Sequence, residues 1–193
     1  MYTADVSKIR EQLNQVLAMV EPCYIDALLM LHERLAKRDF EWAVSGDLAE
    51  ALGTVQVNPD CIEIVTSKKG TAEIYLTFKD LNPKGILFET QKLERKAVVN
   101  GKEYPVFVRS HFFEFELAHI KIKVFGDLQY RISDWNWGDT LQFTPEYVNV
   151  VGAKTAIVPL QIKNELYQNL GWVDRAEKIS QVLTRRHSAN RRF

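Results

Sequence analysis

The fold is decided by residues 42–66, which read WAVSGDLAEALGTVQVNPDCIEIVT. The first four residues are apolar or small and predict a short strand, after which Gly46 can turn sharply because it lacks a Cβ. The leucines and alanines that follow suit a short helix, which Gly53 can cap. Asn58-Pro59 breaks the chain before a second strand at residues 61–65. Successive side chains of a strand point to opposite faces, so Cys61 and Glu63 share one face.

Two helices are predicted before this stretch. Residues 6–20 and 22–38 each carry apolar side chains at helical spacing, as core-packing helices do. The chain then continues directly into the first strand.

Antiparallel strands are predicted after this stretch, over residues 86–132. Asn100-Gly101 is a strong hairpin signal within them. From Phe112 onward the pattern predicts three separate strands, at residues 112–117, 120–125 and 128–132.

The rest of the chain predicts an aromatic loop, a short hairpin and helices. Trp135 and Trp137 lie in the loop, and short strands flank Gly152. Pro159 and Asp174 begin two helices. Residues 185–193 have no apolar period, so we expect them to fray.

The composition is that of an ordinary globular protein. Of 193 residues, 46% are hydrophobic and 26% are charged, with 25 basic and 25 acidic residues, so only local patches could attract nucleic acid or membrane. Two cysteines make no disulfide framework, and no secretory signal or membrane-length apolar run is present, so we expect a cytoplasmic protein.

The stretch at residues 42–66 resembles the core motif of the nucleotidyltransferase superfamily, which includes polymerase-beta-like enzymes. In that motif, Gly-Gly or Gly-Ser follows the first strand, and Asp-apolar-Asp or Asp-apolar-Glu lies on the next. Here Gly46-Asp47 stands at the turn, and Cys61-Ile62-Glu63 stands at the carboxylate pair. The resemblance implies an α/β (α+β) fold: a mixed sheet flanked by helices, with a C-terminal helical extension. It also favours a helix at residues 72–81, where apolar alternation alone would suit a strand.

We expect three parts on this basis. Residues 1–40 form N-terminal helices that pack on the core, and residues 41–158 form the nucleotidyltransferase-like core. Residues 159–193 form the C-terminal helices and a basic tail.

The resemblance implies nucleotidyl transfer with two Mg²⁺ ions about 4 Å apart, which need oxygen ligands. Glu63 suits one of the three carboxylate positions, but Cys61 replaces the first and Lys123 replaces the third. A thiol suits softer metals, and a charged lysine repels Mg²⁺. Asp47 replaces the serine of the turn and puts a negative charge where phosphate would approach.

We therefore predict a nucleotidyltransferase-fold protein whose catalytic site is degenerate and which binds a nucleotide, RNA or a partner protein. No resident cofactor is expected on this hypothesis. One alternative is an active Mg²⁺-dependent enzyme that uses Asp60, Glu63 and Asp127 on an RNA, protein or small-molecule acceptor. Another alternative is a structural module for oligomerisation.

The C-terminal part resembles the archaeal and bacterial branch of the superfamily related to abortive-infection toxins, in which Pro-Leu precedes a helix that carries a lysine. Pro159-Leu160 and Lys163 match that pattern. The resemblance implies that Lys163 contacts a nucleotide phosphate, together with Ser45, Gly46 and Asp47 at the turn. A surface lysine on an amphipathic helix is the alternative.

Two further hypotheses concern the Cys61 thiol and an RNA-binding surface. Cys61 would be a reactive thiol if Lys123 lies beside it, or else a buried small side chain. Single-stranded RNA could bind Trp135, Trp137 and the arginines of the tail, or else the tail is merely solvated. Those arginines are Arg185, Arg186, Arg191 and Arg192.

Overall fold

The computed structural model describes residues 20–190 and contains α-helices, one 3₁₀ turn and nine strands. The helix predicted at residues 6–20 lies outside these residues except for Val20. The helices are α1 Pro22–Leu35, α2 Gly46–Leu52, α3 Lys68–Thr77, α4 Leu160–Asn169 and α5 Val173–Asn190, and the 3₁₀ turn is Lys79–Leu81. The strands are β1 Trp42–Ser45, β2 Ile62–Thr66, β3 Leu87–Lys92, β4 Ala97–Val99, β5 Lys102–Tyr104, β6 Val106–Leu117, β7 Ile120–Ile132, β8 Glu146–Val150 and β9 Ala153–Ile157.

Seven strands form one mixed sheet in the order β3-β6-β7-β2-β1-β9-β8. The β1–β2 pair is antiparallel, whereas β2–β7 and β1–β9 are parallel. The predicted strand, turn, helix and strand of residues 42–66 are confirmed, and β1 and β2 lie at the centre of the sheet. The mixed sheet with flanking helices is the predicted fold class.

The two faces of the sheet pack against different layers. Ile62 and Ile64 of β2 face the large core cluster that also contains α1, α2 and the apolar side of α3. Val65 faces the opposite side, where Phe125 and Leu128 of β7 form a second cluster under the loop at residues 141–143. Alternation along β2 therefore places Cys61 and Glu63 on the side away from the main helical layer.

The C-terminal helices pack on the end of the sheet. Leu160 and Tyr167 of α4 and Ile179 of α5 share a third buried cluster with Ala97 and Val106. This cluster binds the helical extension to the strands. The division into three parts stays a prediction.

Two sequence-based boundaries were wrong. The predicted strands at residues 112–117, 120–125 and 128–132 are parts of two long strands, β6 and β7, and β7 continues through a bulge. Residues 185–190 belong to the last turns of α5, which ends at Asn190, so the helix runs further than predicted, and residues 191–193 lie outside the described residues. Arg186 stabilises this end by binding Glu146 with Nη1 at 2.6 Å and the Gly53 carbonyl with Nη2 at 2.8 Å.

Among the helices of residues 20–190, none combines the length and the hydropathy that a membrane-spanning helix needs.

Phe78 should be one of the main contributors to the stability of the helical layer. It is fully buried, and its ring stacks on Phe115 with centroids 4.8 Å apart. We expect Phe78→Ala to lower the free energy of unfolding by about 3–5 kcal/mol, since it leaves a cavity in a packed core. Leu76→Ala is the control, because Leu76 is 60% exposed and its truncation should cost about 0.5 kcal/mol or less. Urea unfolding measures both, and equal midpoints would contradict the assignment.

Candidate functional site

A cavity of about 370 Å³ lies where the β1–α2 turn, β2, β7, α4 and α5 meet. All but one of the predicted site residues line this cavity: Ser45, Gly46, Asp47, Asp60, Cys61, Glu63, Lys123 and Lys163. Phe125, Tyr130 and Trp172 supply part of its apolar and aromatic wall. The residues that the sequence grouped by motif are thus brought together in space.

Gly46 and Glu63 are in direct contact at the floor of the cavity. Gly46 has φ +60°, a left-handed conformation that glycine tolerates best. A Cβ at this position would lie 2.7 Å from Oε2 of Glu63 and 2.8 Å from its Cδ. Both the turn and the carboxylate therefore depend on a residue without a side chain.

Lys123 stands directly beside Glu63 on the neighbouring parallel strand. The two are register partners between β2 and β7. Burial alone would lower the pKa of the Lys123 ammonium, but its neighbours Cys61, Glu63 and Asp60 outweigh burial and raise that pKa. Lys123 is therefore charged at neutral pH. Burial raises the pKa of the Glu63 carboxyl, and the nearby Lys163 and Lys123 ammonium groups only partly oppose it.

Cys61 is a buried, protonated thiol. It is 5% exposed, and burial together with the neighbouring Asp60 and Glu63 raises its pKa to about 12, although Lys123 acts in the opposite direction. Burial outweighs the effect of the cation, which disfavours the hypothesis of a reactive thiolate. The alternative of a small buried side chain describes the position.

A buried carboxylate, Glu50, organises the wall of the cavity. It is 1% exposed, and its Oε1 accepts hydrogen bonds from Lys163 Nζ at 2.9 Å and from Tyr167 Oη at 2.5 Å. Its Oε2 accepts from Arg175 Nη2 at 2.9 Å. Burial would raise the pKa of Glu50, but the Lys163 ammonium and the Arg175 guanidinium outweigh burial and lower that pKa. Glu50 is thus ionised in the folded protein and holds α2 against α4 and α5.

Sequence reasoning missed Glu50. The available signal was its setting in LAEAL, where apolar residues surround it on every side of a short helix and predict that the whole helix is buried. A buried glutamate requires cationic partners. The sequence alone did not show that Lys163 and Arg175 are those partners.

Lys163 is not a surface lysine. It is 4% exposed and also donates from Nζ to the Gly46 carbonyl at 2.6 Å. The alternative of a solvated amphipathic-helix lysine was therefore wrong. Lys163 connects Glu50 to the glycine turn and fixes the position of that turn.

Asp47 is neutralised by Arg175, which contacts it through Nη2 as well as contacting Glu50. The sequence-based expectation was a free negative charge at the mouth of the phosphate site. Because α5 supplies the guanidinium, that charge is compensated within the protein.

Asp127 does not join the other predicted catalytic residues. It lines a separate cavity of about 340 Å³, together with Trp42, Thr66 and Phe143. Arg109 pairs with Gln129 and His111 pairs with Gly126, so β7 has one extra residue at this point, and Asp127 adopts φ +53° there. Gly126, the residue before Asp127, is level with Thr66 at the end of β2, whereas Lys123 is level with Glu63. Asp127 therefore lies further along the sheet than Lys123. The structure therefore does not bring Asp127 together with Asp60 and Glu63, the other members of the alternative catalytic set.

The described residues do not fit the Mg²⁺ ions that the fold implies. Magnesium needs several oxygen ligands, whereas Glu63 is flanked by a protonated thiol and a charged ammonium group. Within residues 20–190, no group of three or more His, Cys, Asp and Glu side chains is arranged to hold a metal ion.

Gly46→Ala should be more damaging than a glycine replacement that only strains the backbone. We expect Gly101→Ala to cost about 1–2 kcal/mol of unfolding free energy, because φ is +74° but no atom lies within 4 Å of the added Cβ. Gly46→Ala incurs the same cost and also displaces Glu63. Comparison of the two variants by chemical denaturation tests this, and equal losses would show that the contact with Glu63 is unimportant.

Glu50→Gln should destabilise the protein by about 3–5 kcal/mol at pH 7, because it leaves Lys163 and Arg175 without their buried counter-charge. The pKa of Glu50 is lowered in the folded state, so its contribution is complete above the ordinary value of 4.5 and is lost as the pH falls below it. The difference from wild type should therefore shrink in acid.

Glu63→Gln is the matched control for this pH dependence. The pKa of Glu63 is raised, so its ionisation lowers stability as the pH rises above 4.5, and its removal should give a relative gain at neutral pH. Thermal unfolding from pH 3 to pH 7 distinguishes the two carboxylates. A parallel pH dependence for both variants would contradict the assigned charge states.

No protein-family model and no curated protein matches this chain. A crystal structure of a proposed nucleotidyltransferase, TM1012 from Thermotoga maritima, is similar with 26% identity and a TM-score of 0.62, over 86% of this chain and 96% of that chain.

Two further solved structures are more distant. The lincosamide antibiotic adenylyltransferase LnuA, bound to lincomycin, has 9% identity and a TM-score of 0.45 over 84% of this chain and 98% of that chain. ANT(2")-Ia, in complex with adenylyl-2"-tobramycin, has 8% identity and a TM-score of 0.45 over 88% of this chain and 98% of that chain. These two similarities are too low to carry an argument. Because the sheet topology and the similarity to TM1012 agree, this protein has the fold of the nucleotidyltransferase superfamily.

Proposed function

We propose that this protein binds a nucleoside triphosphate or a related nucleotide without a divalent cation and does not transfer the nucleotidyl group. The observation that carries the proposal is the position of Lys123, directly across from Glu63 in the β2–β7 register. A fixed ammonium group at this point supplies the positive charge that metal ions supply elsewhere in the superfamily. It therefore favours phosphate binding and opposes metal binding at the same place.

Lys123 is available for an anion. Among residues 20–190, no carboxylate oxygen lies within the 4.0 Å ion-pair distance of its Nζ. Its side chain is half-buried and lines the cavity, so a bound phosphate would be partly shielded from water. An ammonium group has three N–H donors, which suits a phosphate with several oxygens.

Lys163 can support the same phosphate group. Two of its three N–H donors reach Glu50 and Gly46, which leaves one donor for a ligand. Because the lysine is held by two partners, little side-chain entropy is lost when a phosphate binds. The aromatic wall of Phe125, Tyr130 and Trp172 can cover a base or sugar.

Loss of catalysis follows from the same geometry in this proposal. Transfer would require oxygen ligands for two metal ions, but Cys61 and Lys123 occupy two of the three positions where the superfamily has carboxylates. Asp60 lines the cavity, and Asp127 lies in another cavity. The protein would act as a nucleotide-binding module. Binding of RNA or of a partner protein would be an additional role.

Calorimetric titration with ATP tests the proposal. We expect binding of equal strength in EDTA and in Mg²⁺, and an at least tenfold loss of affinity in Lys123→Met, about 1.4 kcal/mol. Lys121→Met is the matched control, because Lys121 lies on the same strand but is exposed and outside the cavity. Absence of any ATP binding would favour a purely structural module. Metal-dependent nucleotide transfer that Glu63→Ala abolishes would overturn the proposal.

A restored site gives an independent test. In Cys61→Asp combined with Lys123→Asp, the three superfamily positions 61, 63 and 123 would all carry carboxylates, and the fixed cation at position 123 would be gone. We expect ATP binding by this double variant to require Mg²⁺ or Mn²⁺, the reverse of the wild-type behaviour. Metal-independent binding that survives in the double variant would show that Lys123 is not the phosphate ligand.

A further inference from the structure

A second surface lies on the opposite side of the sheet, beyond the helices that cover it. On β6, Phe107, Arg109 and His111 continue the face on which Phe113 and Phe115 are buried under the helical layer. Their register partners extend this face over three strands. The whole surface, here named the arginine–aromatic face, comprises Phe88 and Lys92 of β3, Phe107, Arg109 and His111 of β6, Gln129 and Arg131 of β7, and Trp137.

Trp137 is held over two guanidinium groups. The Cζ atoms of Arg109 and Arg131 lie 4.4 Å and 4.7 Å from the centroid of its ring. Arg109 Nε also donates to Gln129 Oε1 at 2.7 Å, and Gln129 Nε2 donates to the Gly138 carbonyl at 2.9 Å. The loop that carries the tryptophan is thus fastened to the strands, so the aromatic ring is positioned in advance of any ligand.

The cations of this face have no counter-charge in the part of the chain that the structure describes. No carboxylate of residues 20–190 lies within 4.0 Å of Lys92, Arg109 or Arg131. The Nε of Arg131 is buried and has no hydrogen-bond partner among the described residues. A buried N–H without an acceptor is uncommon in a native protein.

We propose that the arginine–aromatic face binds single-stranded nucleic acid. Unpaired bases stack on aromatic rings and on guanidinium planes, while the same guanidinium groups pair with phosphates. Phe88 is 61% exposed, and its ring is tilted against that of His111 with centroids 4.9 Å apart, which provides a second stacking position away from Trp137. From Phe107 to His111 the strand spans about 13 Å, so the face offers stacking positions for two or three bases.

Single strands fit this face better than other anionic partners do. A duplex keeps its bases stacked inside and could use only the cations, which would leave Phe88 and Trp137 without a role. Among the arginines of the C-terminal tail, Arg186 is already bound to Glu146. The face lies across the sheet from the cavity proposed for nucleotides, so each proposal can fail without the other.

Fluorescence anisotropy with labelled oligo-U and oligo-dT of equal length tests the inference on the full chain. We expect both single strands to bind at about 50 mM salt and binding to weaken strongly by about 200 mM. Arg109→Gln combined with Arg131→Gln should weaken binding at least tenfold and reduce the salt slope by about 1.4, near 0.7 for each lost phosphate contact.

Two further double variants make the result specific. Lys121→Gln with Arg185→Gln removes the same charge from exposed positions outside the face and should leave affinity within about twofold. Arg109→Lys with Arg131→Lys keeps the charge, so the salt slope should persist while the loss of stacking lowers affinity. Thermal unfolding confirms that each variant is folded. Absence of oligonucleotide binding at low salt, equal losses in both glutamine variants, or equally tight duplex binding would overturn the proposal.

Discussion

The buried charge cluster around Glu50 is the interaction on which the site depends. One carboxylate, 1% exposed, binds a lysine of α4, a tyrosine of α4 and an arginine of α5. An ionised group so deep in the protein is tolerated only when charged partners and hydrogen bonds replace water. Lys163 in turn donates to the Gly46 carbonyl, so the turn at the end of β1 is fixed by residues from the C-terminal helices. The extension is thereby part of the site.

Lys123 places a positive charge in the cavity beside this cluster. A metal ion is exchangeable, carries two charges and must be held by several oxygens, whereas an ammonium group is covalently attached and carries one. On the proposed function, a permanent cation beside Glu63 would hold a phosphate but would not activate it. The departures at positions 61 and 123 would then form a single change, in which the thiol removes one metal ligand and the ammonium replaces the metal's charge.

The sequence predicted those features that depend on neighbours along the chain. The strand, glycine turn, helix and strand at residues 42–66 follow from local patterns, and their alternation put Glu63 on the cavity side of β2. Glu50 was missed because its burial depends on Lys163 and Arg175, which are distant in the sequence. Asp127 lies apart from Glu63 because β7 pairs with β2 in a register that puts Lys123 beside Glu63 and Gly126 beside Thr66, and no local pattern shows the register between strands so distant in the sequence. Local sequence patterns therefore do not predict the position of a residue whose surroundings come from a distant helix or strand.

The central position of β1 has a consequence for how the chain reaches its native state. This strand, at residues 42–45, lies between β2 and the parallel strand β9, which ends at residue 157, while β2 itself pairs in parallel with β7. The centre of the sheet therefore cannot close until most of the polypeptide has left the ribosome. Ordering such long intervening segments before their contacts form is entropically costly, so assembly should be slow compared with a helical bundle of similar size. During synthesis, β1 would be an unpaired apolar edge, and factors that shield nascent strands would have their greatest effect there.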